Sequence, residues 1–340
     1  MRSIDPGILA VLVAVRDRIA TLDSPWCDHL TVALLGVLRD CAPAGWPAPR
    51  PSHRRSTPPE PLATLLARVD AMAHDLAAAP RDPLASIRQV DSRTAAAWRD
   101  IPAGSIDGCL TSPPYLNQLS YAEASRLELA FLGLARDWSS MSSLMNPLLL
   151  AACTQQVTVR RGAHGEAAMT RYPITARMLS GIAARLSAAQ SERRRGKRYN
   201  TLLWAYWSDL AAVLEHLLPV LAPGARAAWL IGDSAPYGVH VDAPSLLSVL
   251  ADEIGFDVVE DRLARQRGGR WPGVGERHSR RLEERMIVLR RPAWGAQQQL
   301  PGLEETMRRL APNPRAGPSP STAPLRIWSA CRRPLPATPH

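Results

Sequence analysis

Apolar positions recur three or four residues apart along much of this chain, and shorter β-type runs fall between those stretches. Positions 6 to 22 alternate apolar and charged residues with helical spacing, starting from Pro6 at a first turn, which predicts a helix. Two more helices are predicted over 27–42 and 60–79. The proline-rich stretch from Pro43 to Pro59 between them, with Arg50, Arg54 and Arg55, reads as a solvated linker, although a basic loop can also touch phosphate. Ala85 to Val90 reads as a short strand ending at Asp91, followed by a helical stretch from Thr94 to Arg99. Residues 106–111 read as a buried strand that stops at two consecutive prolines. A helix is predicted from Tyr121 to Arg136. Then come a strongly apolar helix over 201–221, a Pro223-Gly224 stop, a strand from Arg226 to Ile231 and a helix from Pro244 to Ile254 stopping at Gly255. Strands at 256–263 and 284–290 flank a loop rich in glycine and arginine. Strands alternating with helices predict an α/β layered domain with a mostly parallel sheet.

The segment from Trp138 to Asn200 breaks this core pattern. It carries Thr154-Gln155-Gln156, the pair Arg160 and Arg161, and a basic run of Arg193, Arg194, Arg195, Gly196, Lys197 and Arg198. Amides, hydroxyls and separated arginines suit base-edge and phosphate contacts, so target recognition is expected here; a solvated helix face is the plain alternative. Arg265, Arg267, Arg270, Arg280 and Arg281 lie in or beside the glycine-rich loop and offer a second phosphate grip. The expected organisation is a helical segment with a linker (1–83), a first core part (84–138), an insertion (139–200), a second core part (201–291) and a disordered tail (292–340) rich in Pro, Ala and Gln.

Composition adjusts this picture modestly. Across 340 residues, 46% are hydrophobic, enough for a substantial core. The formal charge is +10, carried by arginine except for Lys197, which suggests an anionic partner. Five cysteines lie far apart with no CxxC pair and no histidine at ligand spacing, so reduced structural thiols and no metal site are expected. The longest apolar runs, such as Ile8 to Val15, fall far short of the ~20 residues that span a bilayer. Asp5-Pro6 and Arg16-Asp17-Arg18 around that run do not suit a secretion signal, and a cytoplasmic protein is expected.

The candidate chemistry sits at Ser112-Pro113-Pro114-Tyr115. Two prolines hold a loop extended and leave its carbonyls unpaired, ready to accept from a ligand. An ordinary Pro-Pro turn with a tyrosine lid would look the same locally. The tetrapeptide, with Thr111 before it, resembles the catalytic motif of the S-adenosylmethionine-dependent amino-methyltransferases of DNA, most closely the cytosine N4 branch. The resemblance implies that Ser112 Oγ and the Pro113 carbonyl accept the two N–H groups of an exocyclic amine, whose lone pair is otherwise delocalised into the base. The freed lone pair would attack a sulfonium methyl in line, so catalysis would be mostly positioning and electrostatics. Pro114 would hold the loop, and Tyr115 would stack on a base extruded from the duplex.

The same resemblance implies a Rossmann-like methyltransferase sandwich and S-adenosylmethionine as cofactor. Ser3-Ile4-Asp5-Pro6-Gly7 is similar to the family's second-strand junction, where an acid binds the cofactor ribose. Asp5, Asp91 and Thr111 are therefore cofactor-side candidates, while helix capping explains both aspartates equally well. The family's glycine-rich cofactor loop should precede Asp5, and this sequence shows none, so the fold is expected to be N-terminally incomplete. The apolar helix, Pro-Gly turn and strand ending at Gly232-Asp233 resemble the family's fifth-strand unit, and the two late strands its antiparallel edge pair. Double-stranded DNA is the implied partner, with a restriction endonuclease as companion by family analogy. A non-catalytic DNA-binding relative and an RNA amino-methyltransferase are the alternative readings, the latter disfavoured by Ser112 in place of aspartate or asparagine.

Overall fold

The computed structural model describes residues 4–42, 44–45, 50–51, 57–79, 85–118, 120–194, 196–267 and 281–293. Its first helix, α1 (Pro6–Ile19), starts where Asp5 Oδ1 accepts the N–H groups of Gly7 and Ile8 at 2.9 and 3.1 Å. It packs through Leu12 and Ile19 against Leu34, Val37 and Leu38 of α2 (Trp26–Cys41). Between α2 and α3 (Pro61–Ala78) the backbones of β1 (Ala44–Gly45) and β2 (Arg50–Pro51) pair antiparallel, inside the expected linker.

Residues 85–91 form no strand, which corrects the expected one ending at Asp91. Ile87 is 96% exposed and no neighbouring strand lies beside this stretch among the described residues, so its β-type side chains have nothing to pack against. The one-turn helix α4 (Ala95–Trp98) follows, then β3 (Ile106–Thr111), whose bounds match the expectation. The predicted helix over 121–136 is broken into α5 (Tyr121–Ala124) and α6 (Arg126–Phe131), with Gly133 at φ 74 ending the second. Leu127 and Phe131 of α6 close the α1–α2 cluster. Arg16 donates to the Phe131 carbonyl at 2.6 Å, and Arg39 donates to Glu128 and to the Ala124 carbonyl.

The segment read as an insertion, 139–200, contributes buried residues to the main core. After α7 (Trp138–Met145), α8 (Val159–Met169) and α9 (Pro173–Ser191) pack on α10 (Tyr199–Val220), and Met169, Leu179, Ile182 and Leu186 are buried with Leu202, Trp207 and Leu214. Its polar appearance has a steric cause. Gly165 of α8 lies so close to α10 that a Cβ there would stand 2.6 Å from the Trp204 carbonyl oxygen, so the contact is made by residues without an apolar side chain.

Strand β4 (Leu221–Gly232) alternates as a one-sided strand should: Ala225, Ala227, Trp229 and Ile231 are buried, while Arg226, Ala228 and Leu230 are more exposed. Helix α11 (Ala243–Ile254) packs on the sheet beside α10 and ends at Gly255 with φ 113. With β5 (Asp257–Arg267) and β6 (Leu282–Arg290) the sheet runs β3-β4-β6-β5. The β3–β4 pair is parallel and the other two pairs are antiparallel, so the α/β layer is mixed where a mostly parallel sheet was expected. Among the described residues β3 is an edge with Leu110 80% exposed, which corrects the expected buried strand: a second neighbour to cover it is absent from them. The expected disordered tail falls, from residue 294 on, outside the described residues.

Candidate active site at the ends of β3 and β4

Parallel pairing of Thr111 with Trp229 brings the residues after β3 and the last residues of β4 to the same end of the sheet. In α/β folds that carboxyl end is where ligands collect. Here it carries Ser112-Pro113-Pro114-Tyr115. Ser112 is exposed, Pro113 buried, and Pro114 and Tyr115 half-buried. The Pro113 carbonyl accepts no hydrogen bond among the described residues. Two acceptors, the Ser112 hydroxyl oxygen and that carbonyl, thus stand side by side with no N–H donor among the described residues.

Tyr115 is held on two sides. A Cβ added to Gly232 would stand 2.9 Å from Tyr115 Cε2 and 2.9 Å from Arg267 Cζ, so the absent side chain makes room for ring and guanidinium together. Arg267 Cζ lies 5.3 Å from the Tyr115 ring centroid. Burial raises the Tyr115 hydroxyl above its usual range, and a 3.5 Å contact from Ser112 Oγ opposes this only in part, so the phenol stays protonated.

Behind Arg267 lies a charged cluster. Its guanidinium donates to the Asp233 carbonyl and lies 3.7 Å from both Asp233 Oδ1 and Glu284 Oε1. Asp233 Oδ1 accepts the Glu283 N–H at 2.7 Å, and Oδ2 faces His240 Nε2 at 2.8 Å. Glu284, only 3% exposed, is also paired with Arg265.

The loop after Tyr115 has its own anchor. Asn117, at φ 57, donates its N–H to the Ala152 carbonyl at 2.7 Å. The Ala152 and Cys153 N–H groups go to Gln156 Oε1 at 2.7 and 3.0 Å, and the Ala151 N–H to Asp209 Oδ2 at 2.8 Å. Asp209, on α10, also accepts from Arg161 at 2.6 Å and Arg93 at 3.3 Å. Burial pushes the Cys153 thiol above its usual value, and the hydrogen bond with Ser120 is the largest effect opposing that shift.

The structure therefore gathers Thr111 to Tyr115 and Arg267 at one end of the sheet, and Lys197 donates its N–H to Tyr237, five residues beyond β4. It does not gather the aspartates there by any contact. Asp5 caps α1, and Asp91 accepts from Arg93 at 3.0, 2.9 and 2.8 Å, which holds its carboxyl below the usual range. Two of the arginines expected to meet nucleic acid are committed inside the fold. Arg161 spans Asp209 and the carbonyls of Leu149 and Gln156, and Arg267 is 12% exposed against Tyr115. Arg160, Arg194, Lys197 and Arg198 form no ion pair among the described residues, and Arg193 stacks 4.2 Å from the Tyr237 ring. Arg195 and Arg270 lie outside the described residues. No group able to hold a metal occurs among the described residues, and none of their helices is long and apolar enough to cross a membrane.

Sequence reasoning missed Asp209, Arg93, Glu284 and Tyr237; it offered Gln156 to a base edge, whereas that residue is 5% exposed and accepts the Ala152 and Cys153 N–H groups, and it named Asp233 only as the end of a strand. Asp209 did leave a signal, as a carboxylate in the middle of the apolar run 202–214.

No family model matches the chain. Among curated proteins it is similar to the Type II methyltransferase M.AvaI of Nostoc sp., with 27% identity over 192 residues, 55% of this chain and 38% of that protein. It is also similar to the Type II methyltransferase M.BsoBI of Geobacillus stearothermophilus, 24% identical over 176 residues, 48% of this chain and 34% of that one. The matched part is thus little more than a third of those relatives' length. Among solved structures, a DNA modification methylase of Thermus thermophilus complexed with S-adenosyl-L-methionine matches 64% of this chain and 59% of its own, at a TM-score of 0.27 and 16% identity.

Proposed function

We propose that this chain is the base-side part of an S-adenosylmethionine-dependent DNA methyltransferase acting on an exocyclic amine, cytosine N4 or adenine N6. The observation that carries the reading is the Ser112–Tyr115 loop, with an exposed hydroxyl and an unengaged Pro113 carbonyl beside a tyrosine wedged over Gly232. Likeness to Type II methyltransferases over 192 residues supports it.

The chain's own residues act on the acceptor. Ser112 Oγ and the Pro113 carbonyl each accept one N–H of the amine, drawing the nitrogen from planar towards tetrahedral and localising its lone pair. Tyr115, fixed by Arg267 and Gly232, stacks on the extruded base and offsets part of the unstacking cost, which is a few kcal/mol. The donor side is less complete among the described residues. Thr111 offers a hydroxyl beside the loop, whereas Asp5 is occupied by helix capping and Asp91 would reach a ribose only by releasing Arg93. S-adenosylmethionine supplies the methyl group in this reading, and no step is assigned to those two aspartates. Arg160, Arg194, Lys197 and Arg198, free of ion pairs among the described residues, are the groups for the DNA backbone.

The test is calorimetric titration of S-adenosylmethionine into the 340-residue chain, followed by a methylation assay on duplex DNA with Ser112→Ala alongside. Micromolar cofactor binding and methyl transfer that disappears in Ser112→Ala, with duplex affinity kept, are expected. Equal transfer in both proteins sinks the mechanism. No binding at millimolar cofactor favours the non-catalytic DNA-binding alternative.

A further inference from the structure

The described residues of the basic run, Arg193, Arg194 and Gly196 to Arg198, are held in place and are not a loose charge cluster. Tyr237, in the loop after β4, accepts the Lys197 N–H on its hydroxyl and donates to the Lys197 carbonyl at 3.1 Å. Its ring takes Arg193 at 4.2 Å and meets Tyr199 edge-on at 4.7 Å. Gly196 threads a gap where a Cβ would stand 2.6 Å from Gln190 Cγ and 3.2 Å from the Tyr237 hydroxyl. Tyr237 itself has φ 55 and ψ 23, a left-handed conformation that costs a residue with a bulky side chain about 1–3 kcal/mol and persists where surroundings enforce it.

This arrangement leaves an open cavity of about 500 Å³ lined by Arg193, Arg194 and Arg198 together with Ser187, Gln190 and Asn200. Arg193 also donates to the Ala189 carbonyl and is a strut, while Arg194 and Arg198 are exposed and carry no carboxylate partner among the described residues. A concave site with two unneutralised guanidiniums, hydroxyls and an amide, and no acid in its wall, suits a tetrahedral anion. It is joined to the candidate active site through β4: Tyr237 follows Gly232, the residue against which Tyr115 packs, by five positions.

We infer that Tyr237 holds Arg193 and Gly196 to Arg198 as part of a preformed phosphate notch, and that its occupant is a backbone phosphate of the nucleic acid presented to the Ser112 loop. The choice of nucleic acid rests on the reading under Proposed function. Tyr237 is a positioning residue, acting through Arg193 and Lys197; Arg194 and Arg198 make the contact.

The test uses the full chain and a labelled duplex, with affinity followed by fluorescence anisotropy across a salt series. Arg194→Ala/Arg198→Ala should bind about tenfold or more weakly and lower the slope of log affinity against log salt by about two. Tyr237→Phe, which keeps the ring and loses the hydroxyl, should bind several-fold more weakly with the slope nearly intact. Thermal melts of both variants check that the fold is kept, and Arg68→Ala, altering an arginine paired with Asp40, should leave affinity and slope unchanged. An unchanged slope in the double variant overturns the notch while leaving the methyltransferase reading standing, whereas a wild-type chain that binds no duplex at low salt overturns both. Stabilisation of the wild type, and not of the double variant, by inorganic phosphate with equal duplex affinity would reassign the notch to a free anion and overturn the nucleic-acid assignment.

Discussion

Tyr115 and Gly232 share one volume: the ring edge, at Cε2, lies 2.9 Å from the point where a Cβ on residue 232 would stand. The tyrosine of the candidate loop is therefore placed by the last residue of β4 as much as by its own strand. Gly232→Ala should push the ring and Arg267 apart. A destabilisation of about 1–3 kcal/mol, usual for forcing a methyl into a packed site, is expected together with a tenfold or greater loss of methyl transfer. Denaturant titration and the methylation assay read the two effects separately. Unchanged transfer would show that the ring position seen here does not matter to the reaction.

Arg267 supports the other side of that ring. Lysine in its place keeps the charge near Asp233 and Glu284 but cannot reach the Asp233 carbonyl and both carboxylates with one planar fork. For Arg267→Lys we expect a melting temperature within a few degrees of wild type and methyl transfer reduced by roughly tenfold. Loss of folding with no separate effect on transfer would assign Arg267 to the scaffold alone.

Asp209 holds two arginines and the Ala151 N–H from within α10 while only 9% exposed. Asp209→Asn leaves Arg93 and Arg161 partly buried without their common counter-charge, and about 3–5 kcal/mol should be lost. Because Ala152 anchors Asn117, the same variant should also loosen the loop after Tyr115. Hydrogen exchange at Asn117 checks this: an amide as protected as in wild type would separate the two networks.

Acid should act through Asp91. Arg93 holds its carboxyl below the usual range, so its folded value lies below the unfolded one of about 3.9. The stabilisation is then complete above that unfolded value and is lost as pH falls through the folded one. Urea midpoints of the wild type should drop between pH 6 and pH 3 by more than those of Asp91→Asn, which begins lower. Parallel drops in both proteins would rule this pair out as a source of acid sensitivity.

Much of the scaffold is legible from residue order. The bounds of β3 follow from a β-type run cut off by two prolines, and α10 and α11 follow from apolar spacing, with Gly255 ending α11; β4 begins at Leu221, so Pro223-Gly224, read as a stop before it, lies within the strand. The failures have physical causes. Ile87 and Val90 read as strand, but a strand exists only with a neighbour. Helix α8 reads as polar because glycines make its contact with α10. Within the site, Ser112 to Tyr115 announce themselves, whereas Asp209 meets Arg93 across 116 residues and Tyr237 gains its role from a left-handed turn. Neither relation has a local pattern. Arg161 and Arg193 look alike on paper, and only packing shows that one neutralises a buried carboxylate while the other lies on a tyrosine ring.

The outer edge of β3, which no strand pairs among the described residues, sets a clock within a single strand. Over Gly108–Thr111, where the register is regular, alternate amides turn towards β4 and the ones between turn outward, beside the exposed Leu110. In deuterated solvent the two sets should part company, the outward amides exchanging early and the inward ones only when the sheet opens. Ser112 stands at the end of that half-protected strand, so the candidate loop is held from one side by the β4 ladder and breathes on the other.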